Sequence, residues 1–172
     1  VMNGFRTELI NKIVGFNPHI TVKPYESKYI NPARFNSPEL NSISKNLISS
    51  NTSEAIVINN NNSKGIILRG YKSNDFSKLS VINNKNFLGN KINLKNNNIS
   101  IGKELSFILD VKIGDNISLM AASGIDTIIG SLPKQKVFKV VSLFESGLVD
   151  FDSNVVFMNL DTLEEFSNLK NS

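Results

Sequence analysis

Apolar residues recur along this chain at two spacings. Over residues 1–15, Met2, Phe5, Leu9 and Ile13 fall three and four apart, with Arg6, Glu8, Asn11 and Lys12 largely on other faces, which predicts a helix with one apolar stripe. Gly15 and Pro18 stop it, and residues 19–24 (HITVKP) read as a short strand rich in β-branched side chains. Residues 25–38 show no period, have Pro24, Pro32 and Pro38 at or near their ends, and read as an extended loop. A helix over 38–50 is then expected: Ser37 can accept from free backbone N–H groups, Pro38 suits the first helical position, and Glu39 favours the positive end. Its packing residues are Leu40, Ile43, Leu47 and Ile48.

From residue 55 the period shortens. Residues 55–58 (AIVI) and 65–71 (GIILRGY), joined by the Asn-rich stretch 59–64, predict a β-hairpin or adjacent strand pair. Residues 72–94 are weakly patterned, with short pieces near 79–82 and 91–94. Residues 101–110 read as a helix with Leu105, Ile108 and Leu109 on one face, followed by a Gly-Asp turn at 111–115 and a strand over 116–121. The clearest strand is 136–144, another is expected over 152–158, and Asp161 is expected to cap a last helix holding Leu163, Phe166 and Leu169. Helices and strands alternate early and strands crowd late, so the class is α+β rather than a doubly wound sheet.

The stretch 123–133, SGIDTIIGSLP, breaks the expected polarity. Two glycines and a proline mark a hairpin tip, where Asn, Asp, Ser and Lys are usual, yet it holds Ile125, Ile128, Ile129 and Leu132. Gly124 and Gly130 permit backbone angles closed to other residues, and Pro133 removes a backbone donor. A two-stranded ribbon is marginal alone, so this one needs anchoring by the strands at its base, 117–121 and 137–143.

Composition narrows the chemistry. A chain of 172 residues is long enough to bury roughly 70% of its unfolded surface without a staple. The net charge of +4 comes from scattered lysines with no long basic run, which argues for a solvated surface over nucleic-acid binding. With no cysteine and one histidine, thiolate metal sites are excluded, and a nucleophilic triad would have to be built from very little. The GKELS run at 102–106 lacks the glycine spacing of a phosphate loop and reads as a helix start. Glu145, Asp150 and Asp152 could form an acid/base pair or a hard-cation site, but nothing beside them suggests a tuned carboxyl, and they read as solvated. No apolar run approaches the roughly 20 residues that cross a bilayer. The start at Val1, directly inside an amphipathic pattern, suggests a piece of a longer protein.

Three stretches taken together resemble a known family: VMNGFRTELINKIVGFNPHITV at 1–22, IGKELSFILDVKIGDNISLM at 101–120, and GSLPKQKVFKVVSLFESGLVDFDSNVVFMNLDTLEEF at 130–166. In this order they are similar to the periplasmic domain of the LolC/LolE lipoprotein-releasing permeases, within the MacB-like and FtsX-like ABC permeases. The resemblance implies a periplasmic domain of a bacterial inner-membrane protein, with two lobes called Porter and Sabre and a protruding hairpin. Residues 1–71 and 117–172 would form the Porter-like lobe and 72–116 the Sabre-like one.

The same resemblance implies a domain with no catalytic site, cofactor or metal of its own. ATP and Mg would be used by a separate cytoplasmic ATPase, LolD, and the other partners would be a second permease subunit, lipoprotein substrates and the chaperone LolA. The hairpin that recruits the chaperone corresponds to 122–133, with Ile125, Thr127, Ile128, Ile129, Gly130, Leu132 and Pro133 as contact residues. A supporting pad corresponds to Gln135, Lys136 and Ser118. The family's Thr-Pro tip reads Thr127-Ile128 here, and the third pad position, basic in LolC, is Ser118. The alternatives are a LolE-type lipoprotein-binding subunit and a MacB-type efflux domain that engages a periplasmic adaptor.

Overall fold

The structure, a computed structural model, describes residues 20–23, 37–44, 46–79, 87–90, 94–127 and 130–168. The expected helix over 1–15, His19 and most of the expected loop lie outside these residues. Residues 20–23 form no strand, and Ile20 and Val22 are exposed. β-Branched residues favour a strand only where a neighbour supplies pairing and cover.

Helix α1 spans Pro38–Ile43, with Ser37 accepting from the Leu40 N–H at 3.3 Å. It ends well before residue 50, because Ser42 and Ser44 donate their hydroxyls back to the Glu39 and Leu40 carbonyls and the chain turns extended at Ser44. Ile43 consequently stands in solvent.

Seven strands follow: β1 Ser50–Asn59, β2 Asn62–Tyr71, β3 Phe87–Gly89, β4 Asn98–Gly102, β5 Asn116–Thr127, β6 Gly130–Phe144 and β7 Val155–Asn159. The helices among them are α2 Ser73–Phe76, α3 Lys103–Leu109, α4 Val149–Asn154 and α5 Leu160–Phe166. β1 and β2 form the expected hairpin, longer than its apolar centre, with Asn60 in the left-handed region (φ 51°) at the turn. Around the sheet the order is β6-β4-β7-β2-β1-β5, and β5 pairs with β6 again, so six strands close into a ring. The β2–β7 and β4–β6 pairs are parallel and the other four antiparallel. β3 adds to the β6 edge beyond the β5 pairing. The architecture is mixed α/β and rich in sheet.

All six strands of the ring turn alternate residues into one core: Ala55 and Val57, Ile66 and Leu68, Ile99 and Ile101, Ile117 and Leu119, Phe138 and Val140, Val156 and Met158. Leu105 and Leu109 of α3 and Leu163 and Phe166 of α5 complete it. The opposite side chains of β7 meet a second cluster of Tyr71, Phe76, Leu94, Phe144, Val155 and Phe157, in which Phe144 and Phe157 lie 4.8 Å apart between ring centroids. β7 is thus buried on both faces.

Three sequence expectations change here. Ile101 and Gly102, expected in a helix, end strand β4, and the helix starts at Lys103. Residues 152–154, expected in a strand, belong to α4. The last helix is capped by Asn159, which accepts from the Asp161 N–H at 2.9 Å, and not by Asp161 itself. β4 and α3, which fall within the stretch 72–116 expected as the Sabre-like lobe, join the ring: β4 pairs with both β6 and β7, and α3 packs into the common core.

The β4–α3 junction meets α4 closely. A side chain at Gly102 would collide with the backbone carbonyl of Asp152. The Asp152 carboxylate, buried, accepts from the Ser146 N–H at 2.9 and 3.0 Å. Burial raises its pKa above the ordinary 3.8, outweighing the hydrogen bonds from Ser146 that lower it.

Gly102→Ala is expected to destabilise the protein by about 3 kcal/mol in urea unfolding, since the obstacle is backbone and cannot swing aside. Asp152→Ala is expected to cost about 1–3 kcal/mol, because it strands the buried Ser146 N–H. A raised carboxyl pKa means that the folded state holds its proton longer than the unfolded one. The stability difference between wild type and Asp152→Asn is therefore expected to shrink as pH rises from 3.8 through the raised value and then level off. A difference that grows over that range would refute the assignment.

Candidate functional site

The β5–β6 ribbon is the candidate site. Its inner part runs from Asn116↔Lys139 to Met120↔Gln135, and its outer part from Gly124↔Pro133 to Thr127↔Gly130, with an irregularity between. β1 pairs with β5 only over residues 118–121, and β4 meets β6 only from Lys139 onward. Among the described residues the outer part pairs with no third strand.

The stretch expected as a tip is therefore largely paired strand. Gly124 and Pro133 face each other within the ladder, and only residues 128 and 129 are left for the turn. Ile128 and Ile129 lie outside the described residues, as do the side chains of Ile125 and Thr127. Pro133 fits a strand here for a reason that the pairing supplies. The Lys139 N–H bonds to Asn97 on the β4 side, whereas that of Val140 bonds to Asp115 on the β5 side. By alternation, residue 133 turns its nitrogen to the edge without a partner strand, where a missing donor breaks no bond.

Alternation also sorts the expected contact residues. Ser118 lies opposite Val137, and Met120 opposite Gln135, while Ile58 and Ile56 of β1 face Ser118 and Met120. These residues share the outer face of the ring, where Val137 is exposed and Ser118 and Met120 are half-buried. Lys136 faces Leu119 and turns the other way, its Nζ 3.8 Å from the Glu165 carboxylate and 5.9 Å from the Phe138 ring centre. Ser118 and Gln135 thus share one face, and Lys136 takes the opposite one. Leu132, 52% exposed, and Pro133 are open to solvent on the outer part.

Two residues join the site that motif reading passed over. Val137 is an exposed aliphatic beside Ser118, and Lys134 donates to the Glu165 carbonyl at 2.6 Å and to Asn168 Oδ1 at 3.4 Å. The signal was the two-residue period of KQKVF at 134–138, which sets Lys134, Lys136 and Phe138 on one face and Gln135 and Val137 on the other.

The acidic segment does not converge. Glu145 is exposed and pairs with Lys103 at 3.2 Å, Asp150 is exposed in the first turn of α4, and Asp152 is buried against Ser146. No group of three metal-ligating residues occurs among the described residues.

No protein-family profile matches the chain. Two curated proteins do, both named "Lipoprotein-releasing system transmembrane protein LolC", from Xylella fastidiosa strains Temecula1 and 9a5c. Each is 26% identical over an alignment 172 positions long that covers 96% of this chain. Over nearly its whole length the chain is LolC-like. It spans 40% of the length of those relatives. Among solved structures, the extracellular domain of a noncanonic ABC-type transporter, YknZ, from Gram-positive bacteria shows a partial likeness. Its TM-score is 0.46 at 14% identity, covering 70% of this chain and 57% of that one. In the LolC-like chain no helix among the described residues is long and apolar enough to cross a membrane.

Proposed function

We propose that this chain is the periplasmic domain of a LolC-type, inner-membrane ABC permease that releases lipoproteins, and that its β5–β6 ribbon recruits the chaperone LolA. The observation that carries the reading is the ribbon itself. It continues past the ring with no third strand among the described residues and presents exposed Leu132 and Val137, within a chain that is LolC-like nearly end to end. The domain is non-catalytic in this reading and holds no cofactor. A cytoplasmic ATPase, LolD, consumes ATP and Mg, and a second permease subunit completes the membrane part. The ring couples movements of that machinery to lipoprotein transfer and binds no nucleic acid. Division into two lobes remains part of the proposal, with the boundary placed away from the β4–β6 and β4–β7 pairings.

The energetics suit a carrier that must leave again. Burying one Leu, Ile or Val against a partner contributes about 1.5–3 kcal/mol before ordering costs. Net micromolar binding needs about 8 kcal/mol, so a few anchors on a preformed ribbon reach it.

Leu132→Asp combined with Ile128→Asp and Ile129→Asp is expected to abolish capture of LolA by the immobilised domain. Leu132→Asp alone is expected to weaken capture and to shift unfolding stability by no more than about 0.5 kcal/mol, since the side chain is already in water. Capture unaffected by the triple substitution would remove the ribbon from the recruitment role.

A further inference from the structure

We propose that Lys134 is a positioning residue that sets the direction of the outer ribbon by tying β6 to the C-terminal end of α5. The significance of that direction rests on the recruitment reading; the tie itself does not.

Among the described residues the ribbon's ladder is interrupted at one point. Between the pairs Met120↔Gln135 and Gly124↔Pro133, β5 carries three residues, 121–123, where β6 carries one, Lys134. Extra residues on one strand interrupt the ladder, bend the strand and raise its local twist. An outer ribbon joined through such an interruption, with no third strand beside it among the described residues, has no backbone pairing there to hold its angle to the ring.

Lys134 is the residue opposite the interruption, and it is held. Its ammonium donates to the Glu165 carbonyl at 2.6 Å and to Asn168 Oδ1 at 3.4 Å. Glu165 lies in the last turn of α5, whose terminal carbonyls have no intrahelical donor and carry the negative end of the helix dipole. A lysine there satisfies a free acceptor and meets a favourable potential together.

The contact continues along β6 at every second residue. Lys136 is 3.8 Å from the Glu165 carboxylate, and the Phe138 ring packs edge-on against Phe166 at 5.4 Å. α5 is in turn fixed by Leu163 and Phe166, both fully buried in the ring's core. The path from core to ribbon therefore runs through Phe166, the end of α5 and Lys134, and it reaches the ribbon at the point where the ladder fails. Lys136, with its more exposed carboxylate partner, acts inward of that point and cannot replace the tie.

The test is amide hydrogen exchange of the 172-residue chain, comparing wild type with Lys134→Met and Lys134→Arg. In Lys134→Met, amides of residues 124–127 and 130–132 are expected to exchange about fivefold faster, while those of 55–58 in the ring stay unchanged. Lys134→Arg, which keeps the cation, is expected to restore most of the protection. Equal exchange in wild type and Lys134→Met would overturn the proposal, as would an equal acceleration in the ring, which would make Lys134 a general stability residue. Exchange needs no chaperone, so the outcome is separate from the recruitment reading. If Lys134→Met loosens the ribbon while wild type itself fails to capture LolA, the recruitment reading falls and the positioning role stands.

Discussion

The fold depends on β6 being paired along both edges over part of its length and along one edge over the rest. From Lys139 onward it lies between β4 on one side and β5, then β3, on the other, which closes the ring. Toward its start it pairs, among the described residues, with β5 alone. One continuous strand thus joins a core-bearing ring to a bare ribbon. Closure removes the open edges that a six-stranded sheet would otherwise present and lets all six strands bury side chains in common. The ribbon draws its rigidity from that closure, since its base residues Ile117, Leu119 and Phe138 are core residues.

The helices serve this arrangement by sealing the ring. α3 ends at Asp110 in the left-handed conformation, and Asn59 at the β1–β2 turn donates to the Leu109 carbonyl at 2.9 Å. α4 packs against the β4–α3 junction so closely that residue 102 must be glycine, and the α4 carboxylate Asp152 holds the Ser146 N–H. α5 contributes Leu163 and Phe166 to the core and its last carbonyls to Lys134. Each short helix therefore fills the core and fixes a neighbouring connection. A ribbon whose direction is already fixed by its surroundings loses little freedom on binding.

Several elements were legible in the residues alone. Ala55 to Ile58, Gly65 to Tyr71, and the strands on either side of SGIDTIIGSLP carry enough β-branched and aromatic character that tertiary packing only lengthened them. β4 was missed because its short run, Ile99-Ser100-Ile101-Gly102, is buried throughout and follows an Asn-rich stretch, so neither alternation nor length marks it. Asp152 read as solvated because carboxylates usually are. Its burial follows from the Ser146 N–H, which needs an acceptor that only the folded loop brings near. Pro133 read as a loop residue, and its place in a strand rests on which edge of β6 has no neighbour among the described residues.

By itself, then, the sequence determined the class of the protein, the apolar faces of its strands, and the stretch in which an unusual hairpin had to lie. Those properties are local: they depend on period, residue type and turn chemistry within a few positions. Ring closure, the insertion of β4 between β6 and β7, the separation of Ser118 and Gln135 from Lys136, and the meeting of Lys134 with the end of α5 were decided only in three dimensions. Each joins segments distant along the chain. Such partners are chosen by complementary pairing edges and by the need to satisfy buried or terminal polar groups, and neither requirement leaves a periodic trace in either segment alone.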